Sequence, residues 1–87
     1  MPAVDDLLER MRRSKGGWSA DDLEKLYIGL GFESREGAKH RVHIHARFPE
    51  LRATVTRSRS LAKGYIDHAL RIAKRLEELE AKHGKQG

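Results

Sequence analysis

Three histidines, His40, His43 and His45, lie within six residues in the segment Gly37 to Phe48, which reads GAKHRVHIHARF. The whole chain has five histidines and no cysteine. Imidazoles spaced this closely can chelate a metal ion, and a single uncharged imidazole can accept a proton as a general base. They can also be ordinary polar residues of a strand. The segment therefore poses a choice between metal binding, proton transfer and a structural role.

The metal interpretation depends on His43 and His45, which are two residues apart and would share one face of a strand, with His40 nearby as a third ligand. No carboxylate accompanies them locally, and Arg41 and Arg47 would place positive charge beside the ion. We therefore expect no metal and no cofactor. His43 and His45 are instead interpreted as solvent-exposed residues of a strand.

His40 differs from the other two because it precedes the regular alternation of the strand. It follows Gly37 by three residues, and Lys39 and Arg41 flank it. An imidazole can act as a base near neutral pH, and neighbouring cations can bind a phosphate. Type and spacing alone leave this chemical role and a plain turn residue equally open.

The formal charge of +5 is distributed unevenly along the chain. Residues 35–63 contain eight basic and two acidic side chains, whereas residues 1–34 contain five basic and seven acidic ones. A positive segment of this density favours a polyanionic partner, because neutralised phosphates release condensed counterions. A well-solvated surface is the structural alternative.

The length of 87 residues indicates one domain with a small core. No apolar run reaches the roughly 18 residues that a membrane span needs, and the N-terminal residues lack the basic and then apolar order of a signal peptide. The lack of cysteine excludes disulfides and thiolate zinc sites. We expect a cytoplasmic protein without membrane contact, either a monomer or a small homo-oligomer.

Two helices are predicted before any strand. The first covers about residues 3–15 and ends at Gly16-Gly17, and the second covers about residues 20–30. Ser19 and Asp22 have the spacing of a capping box, with Asp in the place of Glu. The apolar residues at helical spacing are Val4, Leu7, Leu8 and Met11 in the first helix and Leu23, Leu26, Tyr27 and Leu30 in the second.

The period changes to two after residue 32, which predicts strands. In the central strand, the apolar residues Val42, Ile44, Ala46 and Phe48 alternate with Arg41, His43, His45 and Arg47. The apolar set is expected to face the core and the basic set to face solvent. Residues 32–35 form a preceding strand and residues 51–56 a following one, with Pro49-Glu50 in the turn between them.

Helical spacing returns after residue 64 and continues to about residue 82, which leaves residues 83–87 as a frayed tail. The predicted order is α-α-β-β-β-α within one domain over residues 1–82. An α+β fold, in which a three-stranded antiparallel meander packs on helices, buries these apolar stripes most simply.

Four short motifs in this order resemble the HicA family of bacterial toxins, the small mRNA-cleaving ribonucleases of HicA–HicB toxin–antitoxin pairs. They are Gly29-Leu30-Gly31-Phe32, Gly37-Ala38-Lys39-His40, Thr54-Val55-Thr56 and Arg59-Ser60-Leu61-Ala62-Lys63-Gly64-Tyr65. The resemblance covers roughly residues 18–79. The second motif corresponds to the Gly-Ser-His of the family, with Ala38-Lys39 in the place of serine.

The resemblance implies a fold like the double-stranded RNA-binding domain and a metal-independent endoribonuclease whose single catalytic histidine is His40 here. It also implies a HicB-like antitoxin as the protein partner and mRNA as the substrate. The helix at the N-terminus is additional to the family pattern. The cations expected to bind RNA phosphates are Lys39, Arg41, Arg57, Arg59 and Lys63.

Two other classes of function stay open. A non-catalytic module of the double-stranded-RNA-binding type would use the same basic segment and recognise RNA by shape. A protein-binding module would bind an acidic partner through it. A second catalytic group is not expected: Asp67 and His68 diverge by about 100° around a helix and are interpreted as surface residues, and Ser58 and Ser60 as turn or cap residues.

Overall fold

The computed structural model describes the backbone of residues 2–83 and the side chains of residues 4–82. Its helices are α1 (Pro2–Arg13), α2 (Ala20–Gly29) and α3 (Lys63–His83), and its strands are β1 (Phe32–Glu36), β2 (His40–His45) and β3 (Arg52–Thr56). The predicted α+β class and the order α-α-β-β-β-α are confirmed. The predicted frayed tail lies, from residue 84 onward, outside the described residues. In the described range, no helix is both long and apolar enough to cross a membrane.

The three strands form one antiparallel meander with β2 in the centre. The Cα partners include Phe32 with His45 and His43 with Ala53. Neighbouring residues of a strand point to opposite faces. This register therefore places His43 and His45 on the same face as the buried Phe32 and Ala53, which we call the inner face because the helices cover it.

The predicted faces are wrong for His43 and His45, and β2 begins at His40 and ends at His45 instead of continuing to Phe48. Beyond its end, Phe48 is buried and Arg47 is exposed, as predicted. His43 is 0% exposed and His45 is 4% exposed, so neither is a surface residue. Val42 and Ile44 lie half-buried on the opposite, outer face, which the helices do not cover. The alternation in the sequence is real, but the apolar residues of the two neighbouring strands determine which face meets the helices.

The start of α2 confirms the predicted capping box. The Asp22 backbone N–H donates to Ser19 Oγ at 3.2 Å, and the Ser19 backbone N–H donates to Asp22 Oδ2 at 2.9 Å. This exchange satisfies donors that a helix N-terminus otherwise leaves free. It fixes where α2 begins, and hence which of its side chains face the sheet, including the fully buried Leu23, Leu26 and Tyr27.

Candidate functional site

The structure separates the three histidines. His40 begins β2 and is exposed on the outer face, whereas His43 and His45 are buried on the inner face. The three imidazoles therefore cannot converge on one metal ion. Within residues 4–82, no group of three or more histidine, aspartate or glutamate side chains is arranged to bind a metal ion.

His45 joins the end of α2 to the loop after β2. Its Nε2 lies 3.0 Å from the carbonyl oxygen of Leu30, so this nitrogen carries the hydrogen and donates it. Its Nδ1 accepts hydrogen bonds from the backbone N–H groups of Arg47 at 3.0 Å and Phe48 at 3.2 Å. Both ring nitrogens are fully used in this neutral tautomer, so His45 is a structural histidine and has no free nitrogen for catalysis.

Gly31 provides the space that the His45 ring occupies. Its φ of +100° lies in the region that side chains disfavour, and a Cβ atom there would lie 3.0 Å from His45 Nε2. The Gly31 carbonyl oxygen also accepts a hydrogen bond from the Ala46 N–H at 3.2 Å. Glycine at position 31, directly before Phe32, is therefore explained by the positive φ and by the close His45 ring.

His43 packs inside the domain against Tyr27. The two rings stack with their centroids 4.8 Å apart and an interplanar angle of 25°, and His43 Nδ1 shares a hydrogen bond of 2.7 Å with Ser34 Oγ. Within the described residues, His43 Nε2 and the Tyr27 hydroxyl are buried without hydrogen-bond partners. Burial, together with the nearby charge of Arg41, lowers the pKa of His43, and burial raises the pKa of Tyr27. His43 is therefore an uncharged core residue at neutral pH.

Acidification is expected to destabilise the fold through His43. Its pKa is lowered in the folded state, so protons bind the unfolded chain more strongly. The contribution of His43 to stability is complete above the unfolded pKa of about 6.5 and is progressively lost as the pH falls toward the folded pKa. Urea denaturation between about pH 7.5 and about pH 5 measures this loss.

The matched variants are His43→Leu, which removes the buried ring, and His68→Gln, which removes an exposed ring on α3. We expect a flatter pH dependence for His43→Leu and an unchanged one for His68→Gln. Equal pH dependence in wild type and His43→Leu would show that His43 does not control acid stability.

Arg41 lies near the start of β2, on the inner face, and its guanidinium is close to three carboxylates. Its Nη1 is 2.8 Å from Asp21 Oδ1 and 2.9 Å from Glu24 Oε1, and its Nε is 3.4 Å from Glu36 Oε2. Arg41 lowers the pKa of Asp21 through a hydrogen bond and its charge. A phosphate would have to compete with three carboxylates for this guanidinium, and Arg41 points away from the face that contains His40.

The other predicted phosphate-binding cations are exposed. The Arg57 backbone N–H donates to the Lys39 carbonyl oxygen at 3.1 Å, which brings the turn between β1 and β2 next to the end of β3. Arg57 Nη1 lies 3.5 Å from Glu36 Oε1. Across residues 4–82, no carboxylate lies within ion-pair distance of Lys39, Arg59 or Lys63. These three cations are therefore available to an anionic ligand.

Backbone hydrogen bonds fix the loop between β3 and α3. Ala20 N–H donates to the Ser58 carbonyl oxygen and Leu61 N–H donates to the Trp18 carbonyl oxygen, both at 2.8 Å. Ser58 Oγ accepts from the Ser60 N–H at 3.1 Å, which is the predicted turn role. A depression of about 250 Å³ lies between this loop and α2, and its lining includes Ser19, Asp21, Arg41, Arg57 and Arg59. His40 is not part of that lining.

Asp67 and His68 do not form a catalytic pair. Asp67 Oδ1 lies 2.8 Å from Lys15 Nζ, and this ion pair lowers the pKa of Asp67. His68 is exposed on α3. Asp67 therefore links α3 to the segment after α1. Its side chain is partly exposed, in agreement with the predicted surface position.

The geometry defines an α+β domain with one exposed imidazole at a sheet end, next to a turn and a loop that carry cations. Comparison with known proteins adds no relative: no protein-family model, curated protein or solved structure matches the chain. His40 was predicted to precede the strand, but it is the first residue of β2 and is exposed on the outer face. The sequence did not signal the burial of His43 and His45 or the carboxylates around Arg41.

Proposed function

We propose that the chain is a HicA-like toxin, a cytoplasmic endoribonuclease that cleaves mRNA without a metal ion and uses His40 as its single catalytic histidine. The observation that carries the proposal is the exposure of His40, while His43 and His45 are buried. Lys39 precedes His40 in the chain, and Arg57 follows its Cα partner Thr56. An imidazole that solvent can reach is therefore combined with cations that can bind a phosphate.

The proposed reaction begins when uncharged His40 accepts the proton of a ribose 2′-hydroxyl. The 2′-oxygen attacks the adjacent phosphorus, the bond from phosphorus to the 5′-oxygen breaks, and the leaving oxygen takes a proton from water. The products are a 2′,3′-cyclic phosphate and a 5′-hydroxyl. General base catalysis of this kind contributes about 10²–10⁴-fold.

Lys39 is assigned to the reacting phosphate, because it directly precedes His40 in the chain. Its charge would stabilise the negative charge that accumulates on the phosphate oxygens in the transition state. Arg57 follows Thr56, the Cα partner of His40, but its Nη1 lies beside Glu36 and it lines the depression that does not include His40, so it is assigned to a neighbouring phosphate of the RNA. Arg59 and Lys63 extend the positive surface along the RNA. Arg41 is expected to bind phosphate more weakly than the other cations, since three carboxylates surround it on the inner face.

The fold is compatible with this proposal. Helices on one face of a three-stranded antiparallel meander are also the arrangement of the double-stranded RNA-binding domain, and we propose that relationship here. A HicB-like antitoxin belongs to the same proposal: it would cover His40 and offer carboxylates to the unpaired cations Lys39, Arg59 and Lys63.

A single-stranded RNA with one 2′-deoxynucleotide at a mapped cleavage site tests the reaction. Cleavage is expected to stop at the modified bond and to continue at the neighbouring bonds, because only the modified ribose lacks the nucleophile. The unmodified RNA of the same sequence is the control. Cleavage at the 2′-deoxy position at an unchanged rate would exclude attack by the 2′-oxygen.

The separation of Arg41 from His40 favours one second candidate, a non-catalytic RNA-binding module. Salt-dependent binding of double-stranded RNA, without any cleavage by the wild-type protein and equal in His40→Ala, would establish that alternative. Undetectable RNA binding at low salt would exclude both and would favour a protein-binding module.

A further inference from the structure

The strand β3 has a free edge. It lies at the border of the sheet, and the Arg57 backbone N–H beyond its end donates to the carbonyl oxygen of Lys39, directly before β2. Backbone groups of alternate residues in an antiparallel strand point to opposite sides. The N–H and C=O groups of Arg52, Thr54 and Thr56 therefore point away from β2, and no other strand of the described chain pairs with them.

A groove of about 560 Å³ runs between this edge and the beginning of α3. Ala62, Gly64 and Tyr65 make its helix side largely apolar, and His68 also lines it. A Cβ atom on Gly64 would meet no other atom within 4 Å, so the groove is open at this point. An apolar side chain of a ligand bound along the β3 edge would fit into this groove and contact its apolar residues.

Cations surround the edge. Arg52 is exposed at one end of β3, Arg59 is exposed in the loop beyond the other end, and Lys63 is exposed at the start of α3. None of the three has a carboxylate within ion-pair distance in the described residues. A ligand of this edge should therefore carry negative charge at its ends.

The hydrogen-bonding pattern of the edge distinguishes a polypeptide from a nucleic acid. The edge alternates donors and acceptors, and an extended peptide offers the complementary alternation. Phosphate groups only accept hydrogen bonds, and the 2′-hydroxyls are the only donors of an RNA backbone, so RNA does not offer the regular alternation of donors and acceptors along the edge. The edge thus fits an extended peptide better than RNA.

We propose that the β3 edge binds an extended segment of a partner protein, which adds a fourth strand to the sheet. One apolar side chain of the segment enters the groove beside Tyr65 and Gly64. Acidic side chains at the ends of the segment pair with Arg52 at one end and with Arg59 and Lys63 at the other. This binding goes beyond the proposed RNA cleavage and does not depend on His40, and it shares only Arg59 and Lys63 with the cations assigned above to RNA and to the antitoxin.

The probe is a fluorescein-labelled synthetic peptide in which valine and threonine alternate between glutamates at both ends. Fluorescence anisotropy with the full chain measures its affinity, and amide hydrogen exchange by NMR locates it. We expect saturable binding and slower exchange at the backbone amides of Thr54 and Thr56. A peptide with lysines in place of the glutamates is expected to bind at least about tenfold more weakly, because opposite charges at the ends are lost.

Thr54→Pro is the decisive variant, with Thr54→Val as its matched control. Proline removes an outward N–H without removing a bond to β2, and edge strands tolerate it. We expect at least about tenfold weaker binding for Thr54→Pro and unchanged binding for Thr54→Val. Gly64→Leu, which fills the groove, should weaken binding similarly and decides the matter if Thr54→Pro does not fold.

The proposal would be overturned if the peptide did not bind at up to about 1 mM. Binding by a folded Thr54→Pro, or by Gly64→Leu, that equals the binding by the wild type would overturn it as well. Protection of the Thr54 and Thr56 amides by an RNA oligonucleotide, and not by the peptide, would assign the edge to nucleic acid instead.

Discussion

Replacing His40 with alanine is expected to lower the rate of RNA cleavage by about 10²–10⁴-fold. The ring is exposed on the outer face, so its loss removes the proposed base without opening the core. Single-turnover cleavage of an end-labelled single-stranded RNA in the presence of a chelator measures the rate. Binding of the same RNA should change little, because the neighbouring cations Lys39 and Arg57 remain.

The control for this prediction is His68→Ala, which removes another exposed imidazole from a different part of the surface. Its cleavage rate should equal that of the wild type. If His40→Ala cleaves RNA as fast as the wild type, His40 is not the base and the proposed mechanism fails.

Replacing His45 with alanine is expected to destabilise the fold by about 3 kcal/mol or more. The change removes the hydrogen bonds of His45 to the Leu30 carbonyl oxygen and to the N–H groups of Arg47 and Phe48, and the loss of a partly buried or buried hydrogen bond costs about 1–3 kcal/mol. The space left by the ring adds a cavity cost. The free energy of unfolding from urea denaturation measures the effect.

His40→Ala serves here as the stability control, because a change at an exposed strand residue should stay within about 0.5 kcal/mol. His40→Ala should thus lose RNA cleavage and keep its stability, whereas His45→Ala should lose stability. A His45→Ala protein as stable as the wild type would contradict the structural role that its three hydrogen bonds indicate.

Local patterns in the sequence predicted the local parts of the fold. Ser19 and Asp22 are three residues apart, and the capping box that they form fixes the start of α2. The change from helical to alternating spacing at Phe32 likewise marks the beginning of β1. These features depend on residues close in sequence, so a single sequence is sufficient to predict them.

The faces of β2 could not be predicted in the same way. Alternation shows that two faces exist, but the pairing of His43 with Ser34 and Ala53 decides which face is inside, and this pairing joins distant residues. Because Val42 and Ile44 are apolar, the sequence predicted that their face, and not the face of His43 and His45, is inside. The hydrogen bond between Ser34 and His43, and those from backbone N–H groups to His45, allow the two polar rings to be buried in the core.

The ion pairs of Arg41 show the same limit within the proposed site. Its carboxylate partners Asp21, Glu24 and Glu36 come from two different elements. Arg41 was included among the cations expected to bind RNA because it belongs to the basic segment. In the structure, the neighbouring carboxylates neutralise its charge. Charge counted along a sequence therefore does not show which cations tertiary ion pairs neutralise.

The most direct test of the central claim is the chemistry of the newly formed RNA ends. Wild-type protein and His40→Ala are incubated with a single-stranded RNA in excess chelator, and the fragments are analysed by mass spectrometry. The proposal predicts 2′,3′-cyclic phosphate and 5′-hydroxyl ends with the wild type and intact RNA with His40→Ala. Cleavage that the chelator abolishes, or fragments with 5′-phosphate ends, would contradict proton transfer from the ribose to His40.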